Sequence, residues 1–365
     1  MKTIISPEIN ELMETIHYRP AVSIIMPFEP KMSAKSALAH SLQAATDKVE
    51  KELLENYPDE VSILVMQKLR DIIRSLNYST HKRSIAIYVS PVFEKVIYLD
   101  MLVEERITVD DSFEIRDLVL CRKQAHKYLV LLLNGKESRI YLADEDCFTR
   151  IVSTTPESVY AYINEVPEKV ANFSDLAGRR EKTMHKFLHY IDNGLAIILN
   201  AYQLPLFVLG PERMVGHFKN ITKHNTSIID YVYGSYQDAT EKDLQEILGP
   251  HVADWKGMKQ KELFNKIEEA AGKKKLAVGI RDVWRRAVNH NGRLLILEKD
   301  YLYAAEHGSS DDIIYKAIKP YNKFSTIKDA VDDVIEKVLE NGGEVEFVER
   351  DVLKDYQHIA MLQYY

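Results

Sequence analysis

The sequence predicts a mixed α/β fold laid out in three segments. Helix-spaced and strand-spaced apolar runs alternate along the whole chain, which is the pattern of layered α/β architecture. The periodicity breaks near Arg122 and again near Gln237. At 365 residues the chain also exceeds the roughly 100–200 residues that one domain ordinarily holds. The expected division is therefore an N-terminal α/β domain at 1–122, a middle domain at 123–236 and a C-terminal domain at 237–365.

In the first segment a short helix from Pro7 to Ile16 precedes a strand from Ala21 to Met26, which Pro27 and Pro30 stop. Two amphipathic helices follow. Leu38, Leu42, Ala45, Val49 and Leu53 share the face of one, and Val61, Leu64, Val65, Leu69, Ile72 and Leu76 that of the other. Ser84–Ser90 and Phe93–Met101 read as strands separated by Pro91. The basic run His81, Lys82, Arg83 reads as a solvated turn.

The second segment opens with a hairpin signal, Asn134-Gly135 between apolar runs. Strands are expected at Tyr128–Leu133, Ser138–Ala143 and Cys147–Val152. Helix, strand, helix and strand follow, the later strands at Leu206–Leu209 and Ser227–Tyr233. Three antiparallel strands and then this succession is the order of a ribonuclease-H-like fold. Nucleases of that fold converge carboxylates on two metal ions about 3.5–4 Å apart. Here the first strand, YLVLLLN, has no acid, and Asp144, Glu145 and Asp146 crowd one turn where neighbours diverge. The fold is expected without the nuclease chemistry, and with no metal or other cofactor.

The stretch Ala171–Asn200 has two halves. A polar loop collects Gly178, Arg179, Arg180, Lys182, His185 and Lys186. Behind it Met184, Phe187, Leu188, Ile191, Leu195, Ile198 and Leu199 mark one buried helix face. A charge run of this kind is either solvated surface or a place where phosphates are met. The net charge of −7 gives no general attraction to nucleic acid, so any such contact must be local.

In the third segment Thr240 and Asp243 form a capping-box-like helix start, and a long helix spans Lys259–Ala271. A helix with Val283, Trp284, Ala287 and Val288 on its buried face ends at Asn291-Gly292, before a strand at Leu294–Leu297. A helix at Thr326–Leu339 is stopped by Asn341-Gly342-Gly343, and strands at Val345–Glu349 and Ile359–Tyr364 close the chain. These elements predict an α-β-α sandwich.

Other chemistries find no support. There is no Gly-x-Ser-x-Gly elbow, no phosphate-cradling Gly-x-x-x-x-Gly-Lys-Ser/Thr and no Gly-x-Gly-x-x-Gly. His185 and His189 stand one turn apart without the Glu of a metalloprotease motif and read as solvent-facing. His217 and His224 lack an acid partner in sequence, and His251 with Asp254 reads as a helix-end contact. No catalytic residue is assigned. Cys121 and Cys147 form neither a disulfide framework nor a zinc spacing. No window approaches the roughly 18 apolar residues of a membrane span, and the N-terminus has no signal-peptide core. A soluble cytoplasmic protein with no membrane association is expected.

The run AVGIRDVWRRAVNHNGRLLILEKDY and the closing NGGEVEFVERD with HIAMLQYY resemble the last domain of archaeo-eukaryotic peptide-chain release factors and Pelota. MHKFLHYIDNGL and LPLFVLGPERMVGHFKNIT resemble the middle domain of that superfamily. The likeness covers the second and third segments and is strongest to the bacterial branch, which includes Balon-like ribosome-hibernation factors. It implies a three-domain, tRNA-shaped factor that binds the ribosome, through ribosomal RNA, at the aminoacyl-tRNA site. Elongation factor Tu or another translational GTPase is the implied partner; hibernation, rescue or stress response is the implied role. The family's release factors carry Gly-Gly-Gln before the middle-domain helix. Only Gly178 resembles it here, and no Gln lies between Val170 and Leu195. The stop-codon-reading Asn-Ile-Lys-Ser is absent from the first segment. The expectation is a non-catalytic factor with Gly178, Arg179, Arg180, Lys182, His185 and Lys186 as its RNA-binding loop. The alternative is a hydrolase acting on RNA or a tRNA ester through the middle domain.

Overall fold

The computed structural model describes residues 7–14, 19–30, 35–123, 127–134, 138–144, 147–151, 176–317 and 326–365. The architecture is mixed α/β with several sheets, as the periodicity predicts. The chain forms two compact units, Met1–Gln124 together with Leu263–Tyr365, and Ala125–Glu262.

In the first unit a short helix α1 (Pro7–Glu14) precedes β1 (Ala21–Pro27), and α2 (Lys35–Asn56) and α3 (Asp59–Arg74) lead to β2 (Ser84–Val89), β3 (Glu94–Leu99), β4 (Arg106–Asp110) and α4 (Arg116–Lys123). The sheet runs β3-β2-β1-β4, all antiparallel, with Ile24 opposite Ile87 and Ile107. Strand β4 and helix α4 carry weak local signals and were not expected. Side chains alternate across the sheet, so Val22, Ile24, Ile85 and Ile87 bury against α2 and α3. Ala21, Ile25, Ala86 and Tyr88 turn to the other face. The basic knot is ion-paired there: Lys82 Nζ lies 2.5 Å from Asp100 and Arg83 Nε 3.1 Å from Glu29.

The middle unit holds β5 (Tyr128–Leu133), β6 (Ser138–Asp144), β7 (Cys147–Ile151), α5 (Leu176–Tyr202), β8 (Leu206–Gly210), α6 (Glu212–Ile221) and β9 (Ile228–Tyr233). Its sheet order is β7-β6-β5-β8-β9, with β5, β6 and β7 antiparallel and β5, β8 and β9 parallel. That is the ribonuclease-H-like order read from the sequence. Leu129, Leu131, Leu133, Leu206 and Val208 pack on α5 and α6. Tyr128, Val130, Leu132, Phe207 and Leu209 pack on Leu244, Leu248 and Trp255. A side chain at Gly210 would meet the Leu133 carbonyl oxygen at 2.5 Å, so only glycine lets β8 end this close to β5.

Those last three residues belong to α7 (Glu241–Gly272), one continuous helix that carries Pro250 inside it. Two helices, with a break between, were expected from the sequence. Asp243 and Thr240 form the reciprocal start that was expected, Asp243 Oδ2 accepting from Thr240 N–H and Oγ1, each at 2.8 Å. Leu244, Leu248 and Trp255 join the middle core, so the compact units divide at Glu262 and Leu263, inside α7.

The remainder comprises β10 (Leu276–Val278), α8 (Ile280–Val288), β11 (Gly292–Glu298), β12 (Ala305–His307), β13 (Ile314–Lys316), β14 (Thr326–Ile327), α9 (Ala330–Glu340), β15 (Glu344–Val348), a 3-10 turn at Lys354–Tyr356 and β16 (Ile359–Gln363). One sheet runs β10-β16-β11-β15, with only β11 and β15 parallel; a small sheet runs β13-β12-β14. Leu294 and Ile296 face Ile267 and Ala270 of α7, and Leu295 and Leu297 face α8 and α9. Helices thus cover both faces, the expected α-β-α sandwich. Gly342, at φ +73°, ends α9.

The first and last stretches share an apolar core. Ala21, Ile25, Tyr88, Phe113 and Leu118 cluster with Trp284, Val331, Val334 and Ile335. The first and last stretches therefore form one compact unit: among the described residues only α1 and α4 of the N-terminal segment cover the second face of its sheet, and the last stretch buries the rest.

Candidate nucleic-acid interface

The basic stretch is placed by α5. Phe187, Leu188, Ile191, Leu195, Ile198 and Leu199 are buried, as the helical spacing predicts, and Met184 packs at the margin. The helix starts earlier than expected. Leu176–Arg180 are helical, so Gly178, Arg179 and Arg180 lie in the first turns of α5 and not in a loop. The physical reason is propensity: Leu, Ala, Arg, Glu and Lys are strong helix formers and outweigh one glycine. The remainder of the expected loop, residues 171–175, lies outside the described residues, as do the side chains of 176–181.

A continuous helix gives the cations a defined geometry that a loop would not. Lys182, Lys186 and His189 are exposed at i, i+4 and i+7, one face opposite the buried stripe. Arg179 precedes Lys182 by three residues, which on a helix is the same face. His185 departs from this face and from its expected solvent position. It is half-buried, its ring 5.0 Å from that of His217 on α6 in an edge-to-face arrangement.

A polar clamp fixes α5 against the segment after α6. Asp192 is only 2% exposed, and its Oδ1 accepts from Thr222 Oγ1 at 2.7 Å. His224 Nε2 lies 3.1 Å from the Asp192 carbonyl oxygen and 3.8 Å from Oδ1. A buried carboxylate needs such partners. His224 therefore has the acid partner that sequence spacing did not reveal, 32 positions away. The Lys223 N–H also points at the Asp192 carboxylate, at 3.4 Å. Beyond it Lys219 Nζ stands 5.2 Å over the Tyr231 ring. Burial raises the Tyr231 phenol, with Tyr233 adding to the shift, and its hydroxyl donates to Asn225 Oδ1 at 3.1 Å.

His251 also differs from expectation: its Nδ1 lies 2.7 Å from Asp230 Oδ2 on β9, not beside Asp254. Among the described residues no group of three or more His, Cys, Asp or Glu is arranged to hold a metal ion, and no helix is long and apolar enough to cross a membrane.

Residues 127–291 match the family model described as bacterial archaeo-eukaryotic release factor family 3. The chain is thus similar to the bacterial branch of the archaeo-eukaryotic release-factor superfamily, as its residues suggested. No curated protein matches the chain. Among solved structures it is similar to an archaeal translation termination factor, aRF1, at 12% identity over 98% of this chain and 96% of that one, with a TM-score of 0.25. Dom34 of S. cerevisiae, described as a translation termination-like factor that interacts with Hbs1, shares 13% identity over 79% and 74% of the two chains, TM-score 0.44. A ribosome-bound archaeal Pelota, in a structure with ABCE1, shares 11% identity over 98% and 93%, TM-score 0.45.

Proposed function

We propose that this release-factor-like chain is a non-catalytic, ribosome-binding translation factor, and that the exposed basic face at the start of α5 is its contact with ribosomal RNA. The carrying observation is the stripe of Lys182, Lys186 and His189 on a helix whose opposite face is buried and whose middle is clamped through Asp192. Phosphate contacts position a protein on RNA and dominate its affinity, and rigid anchoring lowers the ordering cost of making them. Gly178, Arg179 and Arg180 complete the proposed surface by sequence position, and half-buried His185 borders it.

Release chemistry is not part of this reading. It would need a glutamine presented by a glycine-rich loop, and the sequence around Gly178 has neither the second glycine nor the Gln. The role is hibernation, rescue or stress response in the cytoplasm, with elongation factor Tu or another translational GTPase as delivery partner. The segments 1–122, 123–236 and 237–365 are proposed as the three domains of such a factor. Co-sedimentation with ribosomes, run beside turnover of labelled peptidyl-tRNA, tests the proposal. Ribosome association without turnover is the expected result. Turnover well above a buffer control would instead support a hydrolase working through the middle domain.

A further inference from the structure

Charged side chains with little access to water gather where α4 meets α9. Asp332, in the first turn of α9, turns away from its own helix. It accepts from the Arg116 N–H at 2.7 Å and the Ile115 N–H at 3.2 Å, so it caps the N-terminus of α4. Asp329 caps α9 itself, accepting from the Val331 N–H at 3.1 Å, and also accepts from Tyr303 N–H at 3.2 Å. The Arg116 guanidinium, 0% exposed, lies 2.7 Å from Asp329 Oδ2. Its Nε and Nη1 have no hydrogen-bond partner among the described residues, nor does Glu114 Oε2. Around the margin Lys328 Nζ donates to the Val109 carbonyl oxygen at 2.6 Å and pairs with Glu52, and Lys123 pairs with Glu346 at 2.7 Å.

The balance of signs is uneven. From α9 and its cap come Asp329, Asp332, Asp333 and Glu336, against Lys337 and the exposed Lys328; Glu340, further along α9, is exposed. From α4 and the turn before it come Glu114 and Asp117, against Arg116; from β4 come Asp110, against Arg106, with Arg106 Nε 3.6 Å from Asp117. Tyr88 on β2 donates its hydroxyl to the Glu114 carbonyl oxygen at 2.9 Å. Among the described residues carboxylates outnumber cations in a place where water compensates little of the difference, which favours the neutral form of some carboxyls.

We infer that this cluster is a proton-dependent latch between the first and last stretches of the chain: it holds while its surplus carboxyls stay protonated and loosens as they ionise. Repulsion would act on the α4–α9 contact first, because Asp332 reaches across it. The chemistry agrees in direction. Burial raises Asp332 to about 7 even though Arg116 and the two amides pull it down. Burial and then Asp332 raise Asp333 to about 8, and burial, Asp332 and Asp333 raise Glu336 to about 8.

The test is hydrogen exchange in the full-length chain, read at peptides covering 113–123 and corrected for the intrinsic rate at each pH. Opening should become more frequent as pH rises from about 5 to about 8, by up to about tenfold per unit for each proton released, and level off above. Asp332→Asn keeps an oxygen acceptor for the Ile115 and Arg116 amides but cannot ionise, so it should flatten the rise. Glu336→Gln serves as the second variant if the first does not fold, and should also reduce the slope. Pairing with an exposed-acid control, Asp47→Asn, should leave the slope unchanged. Protection at 113–123 independent of pH over this range, or a slope unaltered by both Asp332→Asn and Glu336→Gln, overturns the latch.

Discussion

Two charged regions of this molecule differ in what water does to them. On α5, Lys182, Lys186 and His189 stand in solvent. Between α4 and α9, Arg116, Glu114, Asp117 and Asp332 are almost fully buried. In water a charge costs the fold little. In the interior each charge is tied to its neighbours and to its proton, so stability becomes a function of pH and of every member of the set. The exposed region is therefore the one proposed for recognition, and the buried one holds two stretches of chain together.

Removing a central buried charge should give the largest effect. Arg116→Met leaves Asp329 and Asp332 without their cation and should destabilise the chain by about 3–5 kcal/mol, the usual cost of breaking a buried pair. Denaturant unfolding of the variant beside the parent measures this; a loss below about 1 kcal/mol would place the pair's worth near that of a surface contact.

The pH dependence comes next. Asp332, Asp333 and Glu336 have folded values raised to about 7, 8 and 8. The unfolded chain releases these protons near 4, so between about 4 and 8 the folded state holds more protons than the unfolded one. Stability from these groups is complete below about 4 and is lost as pH rises through the folded values. Melting midpoints across pH 5 to 9 should therefore fall and then level, and a midpoint that climbs steadily through pH 8 contradicts the assignment.

A smaller loss is expected at the clamp. Asp192→Ala strands the buried Thr222 hydroxyl and should cost about 1–3 kcal/mol, and ribosome affinity should drop with it because α5 loses its anchor. A variant that melts like the parent shows that the clamp neither stabilises nor orients.

Local pattern made one of these regions readable in sequence and hid the other. The buried face of α5 follows helical spacing, so Phe187, Leu188, Ile191 and Leu195 were legible from their intervals. The start of α5 was not. Arg179 and Arg180 sit where the helix macrodipole disfavours cations, so Gly178 and the charge run read as loop, yet the propensity of their neighbours prevails. The helix start at Thr240 and the helix at Lys259–Ala271 likewise read as separate, whereas α7 runs through both and carries Pro250 inside it. On α9 the apolar set Ala330, Val331, Val334, Ile335 and Val338 was legible, but nothing in their spacing marks Asp332 and Glu336, between those positions, as buried. Their burial depends on α4, more than 200 positions earlier, and no local period encodes that. His224 with Asp192 and His251 with Asp230 escaped for the same reason: each pair joins elements distant in sequence.

The smallest structural effect belongs to the exposed stripe, where function should nevertheless change most. Lys182→Ala/Lys186→Ala should leave stability within about 0.5 kcal/mol, as exposed substitutions usually do. Ribosome binding of this variant and the parent, measured over a series of salt concentrations, tests the central claim most directly. If each lysine meets one phosphate, the slope of log affinity against log salt should flatten by about 1.4 to 1.8, at roughly 0.7 to 0.9 per contact. A well-folded double variant with the parent's affinity and the parent's slope would contradict the assignment of the α5 face to RNA.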